Sequence, residues 1–173
     1  MPYDHARNHL CQMTLDNGFD YCLMLDSDIV APNDTILRLL AHNLPIVSGM
    51  YHRRSPPHSI PVMIKDGQWV TQFPQNALIE VDYVGSGCLL IHRSVLEQMP
   101  PIEPGHHWFC WRVDRKGIME PGECLSEDFT FCRYAKKTLG VKTIVDTSIQ
   151  CRHIGLAEAT YGRFVPAEAT PIT

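Results

Sequence analysis

Two carboxylates, Asp26 and Asp28, stand one residue apart at the end of the apolar run Tyr21-Cys22-Leu23-Met24-Leu25. A run of that length bounded by polar residues predicts a buried strand. Carboxylates at its carboxyl end face the edge of a sheet, where open α/β sheets place their ligands. Side by side they repel, and staying ionised calls for a shared cation. Mg²⁺ or Mn²⁺, hard ions that prefer oxygen ligands, suit that role. This spacing points to a metal-dependent site that handles phosphate. The same residues also suit a plain strand-ending turn, where Asp and Ser are common.

Four further groups could carry chemistry. Ser126-Glu127-Asp128 precedes an apolar helical pattern. Capping by Ser and acids in the first turn account for these residue types without any function. A functional reading makes a carboxylate there a general base toward a hydroxyl, ionised because the helix dipole depresses its pKa. His153 is a good Mn²⁺ ligand if the fold brings it to Asp28. Gly85-Ser86-Gly87 is either a turn or a place of close backbone approach to a ligand. The basic loop His52-Arg53-Arg54 is either a solvated surface or a diphosphate-neutralising arm. Cys110, Cys124, Cys132 and Cys151 lack the C-x-x-C spacing of a zinc site.

These groups must be positioned by the elements around them. Residues 4–15 predict a helix with Ala6, Leu10 and Met13 on its apolar side, stopped by Asn17-Gly18. Residues 35–42 predict a second helix, 94–99 a short third, and 127–138 a fourth ended by Gly140. Strands are expected at 21–25, 45–50, 78–81, 88–91 and 141–145, with 149–151 extending or pairing with the last. A hairpin is expected around Lys65-Asp66-Gly67. Residues 100–125, with His106, His107, Trp108 and Trp111, show no period and read as a long functional loop. Strands alternating with helices predict an α/β layered domain over residues 1–155, with an irregular tail over 156–173.

The chain has 173 residues with 45% hydrophobic and 20% charged residues, ordinary for one globular domain. A net charge of -4 argues against a general nucleic-acid binder, which needs a basic field. The apolar runs are far too short for a membrane span. Seven cysteines without framework spacing, and an N-terminus lacking a signal-peptide core, fit reduced thiols in the cytoplasm.

Taken in order, the pieces resemble one family: Ala6-Arg7-Asn8 on a helix, the strand ending in D-x-D, G-S-G before an apolar strand and Arg93-Ser94-Val95, S-E-D-F at a helix start, and V-D-T-S-I-x-C-x-H-I-G. The chain is similar to GT-A fold glycosyltransferases of family 2, including short bacterial and phage enzymes. The resemblance covers roughly residues 6–155. It implies a GT-A-like (Rossmann-like) mixed central sheet flanked by helices, and transfer of a sugar from a UDP- or GDP-linked donor to an acceptor hydroxyl. It implies that Asp28, Asp26 and His153 hold Mn²⁺ or Mg²⁺, with Asp26 alternatively on the donor ribose. It further implies Asp128 as the base with Glu127 beside it, Arg7 near the nucleotide base, and Gly85, Ser86 and Gly87 along the donor and acceptor side. The family's opening strands have no counterpart, so the fold is expected to be N-terminally reduced. That would leave a sheet edge or apolar face uncovered, which a homodimer would cover.

Two other readings remain open. One is a phosphatase of the haloacid dehalogenase type, with Asp26 as nucleophile, Asp28 as acid/base, Ser48 in the second motif and Lys65 or Lys116 as phosphate clamp. The other is a non-catalytic GT-A-like module that binds a sugar or a partner chain.

Overall fold

The computed structural model describes residues 3–54, 59–100, 107–111, 125–155, 157–160 and 163–166. His106, Lys116 and Cys124 lie outside them. Helix α1 (Tyr3–Asp16) ends at Gly18, whose φ of 70° supplies the left-handed turn into β1 (Tyr21–Leu25). A tight turn through Asp26, Ser27 and Asp28 leads to the two-residue strand β2 (Ile29–Val30), then α2 (Thr35–Ala41) and β3 (Ile46–Met50). Strands β4 (Met63–Lys65) and β5 (Gln68–Trp69) form the expected hairpin, with Asp66 and Gly67 both at positive φ. Strands β6 (Leu78–Val81), β7 (Tyr83–Val84) and β8 (Cys88–His92) follow, then α3 (Arg93–Gln98) and α4 (Glu127–Leu139). The chain continues through β9 (Thr143–Gln150), β10 (Arg152–His153), β11 (Ala157–Thr160) and β12 (Arg163–Pro166).

Among the described residues the central sheet has the order β1-β8-β3-β9-β6. Strands β3 and β9 are parallel, and the other neighbours are antiparallel. It is a mixed sheet flanked by helices, as the sequence implies. Its middle strands are buried on both faces, and alternate residues feed two cores. Cys22, Met24, Ile46, Leu89 and Ile91 join a core that includes Cys11 of α1, Leu96 of α3 and Phe131 of α4. Val47, Leu90 and Ile149 join Leu39 of α2 on the other face. Burying a side chain of this size contributes about 1.5–3 kcal/mol, so this packing dominates the fold.

Two expectations need correction, for the face of α1 and for the tail, and one left open is decided. The inward face of α1 is not Ala6, Leu10 and Met13, all of which are exposed. It is Asp4, Arg7, Cys11 and Thr14. Of the two options for residues 149–151, extension holds for 149 and 150, which belong to the eight-residue strand β9. The tail is not wholly irregular, because β11 and β12 pair antiparallel and extend a sheet of order β12-β11-β10-β2. Among the described residues no helix is long and apolar enough to cross a membrane.

The strand directions fix where a site can form. Strands β1 and β3 both run antiparallel to β8, and β9 runs parallel to β3. Their carboxyl ends therefore share one edge of the sheet. That edge receives Asp26 to Asp28 after β1, Arg53 and Arg54 after β3, and His153 after β9. Helices α1 and α4 precede the edge-directed strands β1 and β9, so their N-terminal turns return to the same edge.

On the other face a polar network ties α2 to β9. His42 Nε2 lies 2.8 Å from Asp146 Oδ2, and the Ser148 amide donates to Asp146 Oδ1 at 2.8 Å. The Ser148 hydroxyl also donates to Asp146 Oδ1 and accepts from Arg38. Burial pushes the Asp146 carboxyl up, but the Ser148 and His42 contacts outweigh it and leave it below the usual carboxylate range. A depressed folded-state pKa contributes stability above the unfolded value, and that stability is lost as pH falls through the folded one. Asp146→Ala should destabilise the protein by about 2–3 kcal/mol at neutral pH. In chemical denaturation the gap between variant and wild type should close as pH falls below about 4, near the unfolded Asp value.

Candidate functional site

A cleft of about 370 Å³ opens at the shared edge. Helix α1 contributes Tyr3 and Arg7, the turn after β1 contributes Asp26, Ser27 and Asp28, and the start of α4 contributes Ser126, Glu127 and Asp128. Arg54, Trp111 and His153 complete the wall. Arg7, Asp26, Asp28, Arg54, Trp111, Ser126, Glu127, Asp128 and His153, each named from the sequence, thus meet in one place.

Arg7 is the hub. Its Nη2 donates to Asp26 Oδ1 at 3.1 Å, and its Nη1 donates to Glu127 Oε1. The arginine and glutamate side chains are 9% and 5% exposed, whereas Asp26 is 41% exposed. Arg7 therefore neutralises a buried carboxylate on one side and orients a solvent-facing one on the other. Burial, and next the charge of Asp128, push the Glu127 carboxyl up to about 7, against the pull of Arg7. Glu127 Oε2 is buried without a hydrogen-bond partner.

Asp128 lies beside it in a different setting. Its Oδ1 accepts from the Ser126 hydroxyl and from the Phe129 amide at 2.9 Å, and its Oδ2 accepts a longer bond from the Ser86 amide at 3.4 Å. Ser126 does occupy the N-cap position, but its hydroxyl makes no cap bond to the helix backbone. Capping thus explains its position and not its side chain, which serves Asp128. Desolvation pushes the Asp128 carboxyl up, opposed by these hydrogen bonds and Arg7. This reverses the expectation from the helix dipole, because burial outweighs it.

The metal set needs a similar correction. Asp26, Asp28 and His153 line the cleft together, yet among the described residues no three His, Cys, Asp or Glu side chains form a group able to hold a metal ion. Asp26 is taken by Arg7. Asp28 Oδ2 faces His153 Nε2 at 3.5 Å and Arg54 Nη2 at 3.0 Å. His153 Nδ1 lies 2.8 Å from the His52 carbonyl, which can only accept, so Nδ1 carries the proton. In neutral His153, Nε2 then presents a lone pair toward a carboxylate oxygen. Two acceptors facing each other suit a cation shared between them, and the backbone contact is the outer support typical of metal-ligating histidines. Asp28 and His153 therefore fit as two ligands, short of the expected three.

Gly85, Ser86 and Gly87 are not on the cleft wall. They are buried against Tyr51, whose hydroxyl accepts from the Gly87 amide at 3.0 Å. A Cβ on Gly85 would lie 2.0 Å from that hydroxyl, and one on Gly87 would lie 2.7 Å from Tyr51 Cζ. The close approach that the glycines permit is to a tyrosine ring. Tyr51 in turn packs edge-on against His153, with ring centroids 5.6 Å apart. The triplet reaches the site through the Ser86 amide on Asp128.

Several contributors escaped the sequence reading. Asn8, in the A-R-N triplet, accepts from the Trp108 and Phe109 amides at 3.0 Å and donates to the Phe109 carbonyl at 2.7 Å. It fixes the segment that delivers Trp111 to the rim. Tyr3, 66% exposed, and Trp111, 43% exposed, are the aromatics of that rim. Trp111 belongs to the segment expected to be a functional loop, whereas Tyr3 carries no signal of its own. Ser48, by contrast, is fully buried and donates to the Cys88 carbonyl at 2.8 Å. Lys65 pairs with Glu80 and Asp82. The phosphatase reading thus loses its second motif and its described clamp.

No protein-family model matches the chain, and no curated protein matches it. A solved structure that resembles it is "Crystal Structure of A197 from STIV", with 17% sequence identity and a TM-score of 0.60. The match covers 96% of this chain and 78% of that one. At that identity the likeness is one of fold alone: a mixed α/β architecture shared over nearly the whole chain.

The buried Glu127 sets a pH dependence. Its folded-state value of about 7 lies above the ordinary 4.5, so the native state binds the proton more tightly. Stability from this group is complete below the ordinary value and is lost as pH rises through about 7. The melting temperature should therefore fall between pH 5 and about 8, and Glu127→Gln should flatten that fall. An equal slope in the variant would assign the titration to another group.

Proposed function

We propose that the chain is a glycosyltransferase, or the catalytic part of one, which moves a sugar from a UDP- or GDP-linked donor to an acceptor hydroxyl. The observation that carries this reading is the meeting, in one cleft, of a carboxylate–imidazole pair with a supported carboxylate at a helix N-terminus. Sugar transfer from a nucleotide needs both: a place where the departing diphosphate is neutralised, and a base for the attacking hydroxyl.

Asp28 and His153 would hold Mn²⁺ or Mg²⁺, hard ions that serve at phosphate groups. Bound there, the ion supplies Lewis-acid neutralisation of the charge that develops on the diphosphate. Asp26, fixed by Arg7, faces the cleft as an acceptor for a donor hydroxyl. Asp128 accepts the proton of the acceptor hydroxyl through Oδ2, the oxygen with the longer and weaker bond. Its upward-shifted pKa strengthens it as a base. Burial of Glu127 against Arg7 holds the guanidinium in place and keeps water from the back of the site.

Asp128→Asn should lower transfer by about 10²–10⁴-fold, measured as product formation from a panel of nucleotide sugars with Mn²⁺. Donor binding by calorimetry should change little, and an equal loss of binding would remove Asp128 from the role of base. Asp28→Ala should abolish the Mn²⁺ dependence of nucleoside diphosphate binding, and an unchanged Mn²⁺ titration would refute the ligand assignment. Tight nucleotide binding without turnover of any donor would favour the non-catalytic module.

A further inference from the structure

Arg54 occupies an unusual place for a surface arginine. It is 43% exposed, yet its Nη2 sits 3.0 Å from Asp28 Oδ2 and its Nη1 donates to the Ile154 carbonyl at 2.9 Å. The oxygen it holds is the one that faces His153 Nε2. Asp28 therefore already carries a cation, supplied by the protein. Ile154 is itself locked to this turn, its amide donating to the Asp28 carbonyl at 2.8 Å. The guanidinium fork thus has one side-chain partner, a carboxylate, and one backbone partner, a carbonyl.

Resting on the reading above, we propose that Arg54 is a displaceable counter-ion of Asp28. It neutralises the carboxylate until a divalent cation arrives with a nucleoside diphosphate. It then stays tethered to the Ile154 carbonyl and turns its freed N–H groups to the diphosphate. Three features support this. A divalent ion shared by Asp28 Oδ2 and His153 Nε2 would repel a guanidinium at 3.0 Å from the same oxygen. The planar fork of arginine suits phosphate as well as carboxylate. Arg54 lines the same cleft as Asp26 and Asp128, so the move requires a side-chain rotation and no change of fold. The two binding events are then linked: Arg54 opposes the cation when it comes alone and favours the diphosphate once the cation is in place.

The test uses the full chain as wild type, Arg54→Gln and Arg54→Lys. Free Mn²⁺ is followed by electron paramagnetic resonance, UDP and GDP binding by calorimetry with and without Mn²⁺, and folding by thermal denaturation. Arg54→Gln should bind Mn²⁺ alone about 10-fold more tightly than wild type and lose about 10-fold of the Mn²⁺-dependent gain in diphosphate affinity, within the usual range of coupling between sites. Arg54→Lys should fall between, because an ammonium keeps the charge but cannot span Asp28 and the Ile154 carbonyl at once. If Arg54→Gln binds Mn²⁺ no more tightly than wild type, the counter-ion role fails while the cation site stands. If Mn²⁺ binding tightens and diphosphate affinity is unchanged, the transfer to phosphate is overturned. If wild type binds no Mn²⁺ with or without either nucleoside diphosphate, the cation-dependent reading itself falls, and this proposal with it.

Discussion

One guanidinium holds the site together. Arg7 reaches Glu127 on α4 and Asp26 after β1 from its own place on α1, so three elements distant in sequence meet at one planar cation. A buried ion pair stabilises little in net terms, because desolvation offsets the attraction. Its importance is geometric. Sliding α1 by a turn would part the Arg7 guanidinium, which cannot deprotonate, from its carboxylates, and a buried charge left unpaired costs several kcal/mol. The register of α1 on the sheet is thereby fixed, and with it Tyr3 at the rim and Asn8 on the Phe109 segment. The polar inward face of α1 follows as well: Asp4, Arg7 and Thr14 take the positions that an apolar stripe would otherwise fill.

The cleft depends next on strand direction. Chemistry gathers at one edge because β1, β3 and β9 point there and the helices that lead into β1 and β9 begin there. Each contribution is small in sequence terms: a turn, one arginine, one histidine and one helix start. Support comes from behind. Tyr51 is clamped by the Gly85 and Gly87 backbone and braces the His153 ring, whose Nδ1–H is held by the His52 carbonyl. One packing unit thus positions the imidazole on one side and, through the Ser86 amide, Asp128 on the other.

Much of this was legible in the sequence where a local signal was strong. The apolar runs at Tyr21–Leu25 and Leu78–Val81 coincide with β1 and β6, and Asp66-Gly67 and Gly140 make the turns their types demand. The two-residue strands β2, β7 and β10 were not legible, because nothing that short carries a period. The face of α1 was misread because periodicity counts apolar residues, and here burial selects a charged one. The glycine triplet stays open between a turn and an approach to a ligand, because sequence shows that a close approach is permitted and not what approaches. Residue types single out the acidic, basic and histidine positions of the cleft but not their pairing: Arg7 with Asp26 and Arg54 with Asp28 are contacts between segments 19 and 26 residues apart, set by the tertiary fold.

The acidic pair at the start of α4 shows how environment divides roles between neighbouring carboxylates. Both carry upward-shifted pKa values caused first by burial. Glu127 spends its charge inward on Arg7, and its second oxygen has no donor. Ionising it therefore strengthens one contact and strands one oxygen, which suits a group that titrates and holds position. Asp128 has three donors arranged around it, two on Oδ1 and a long one on Oδ2. That arrangement fixes its rotamer through Oδ1 and leaves Oδ2 with only the longer bond from the Ser86 amide. The difference between Glu127 and Asp128 lies in what each oxygen meets, which the adjacent letters of the sequence do not reveal.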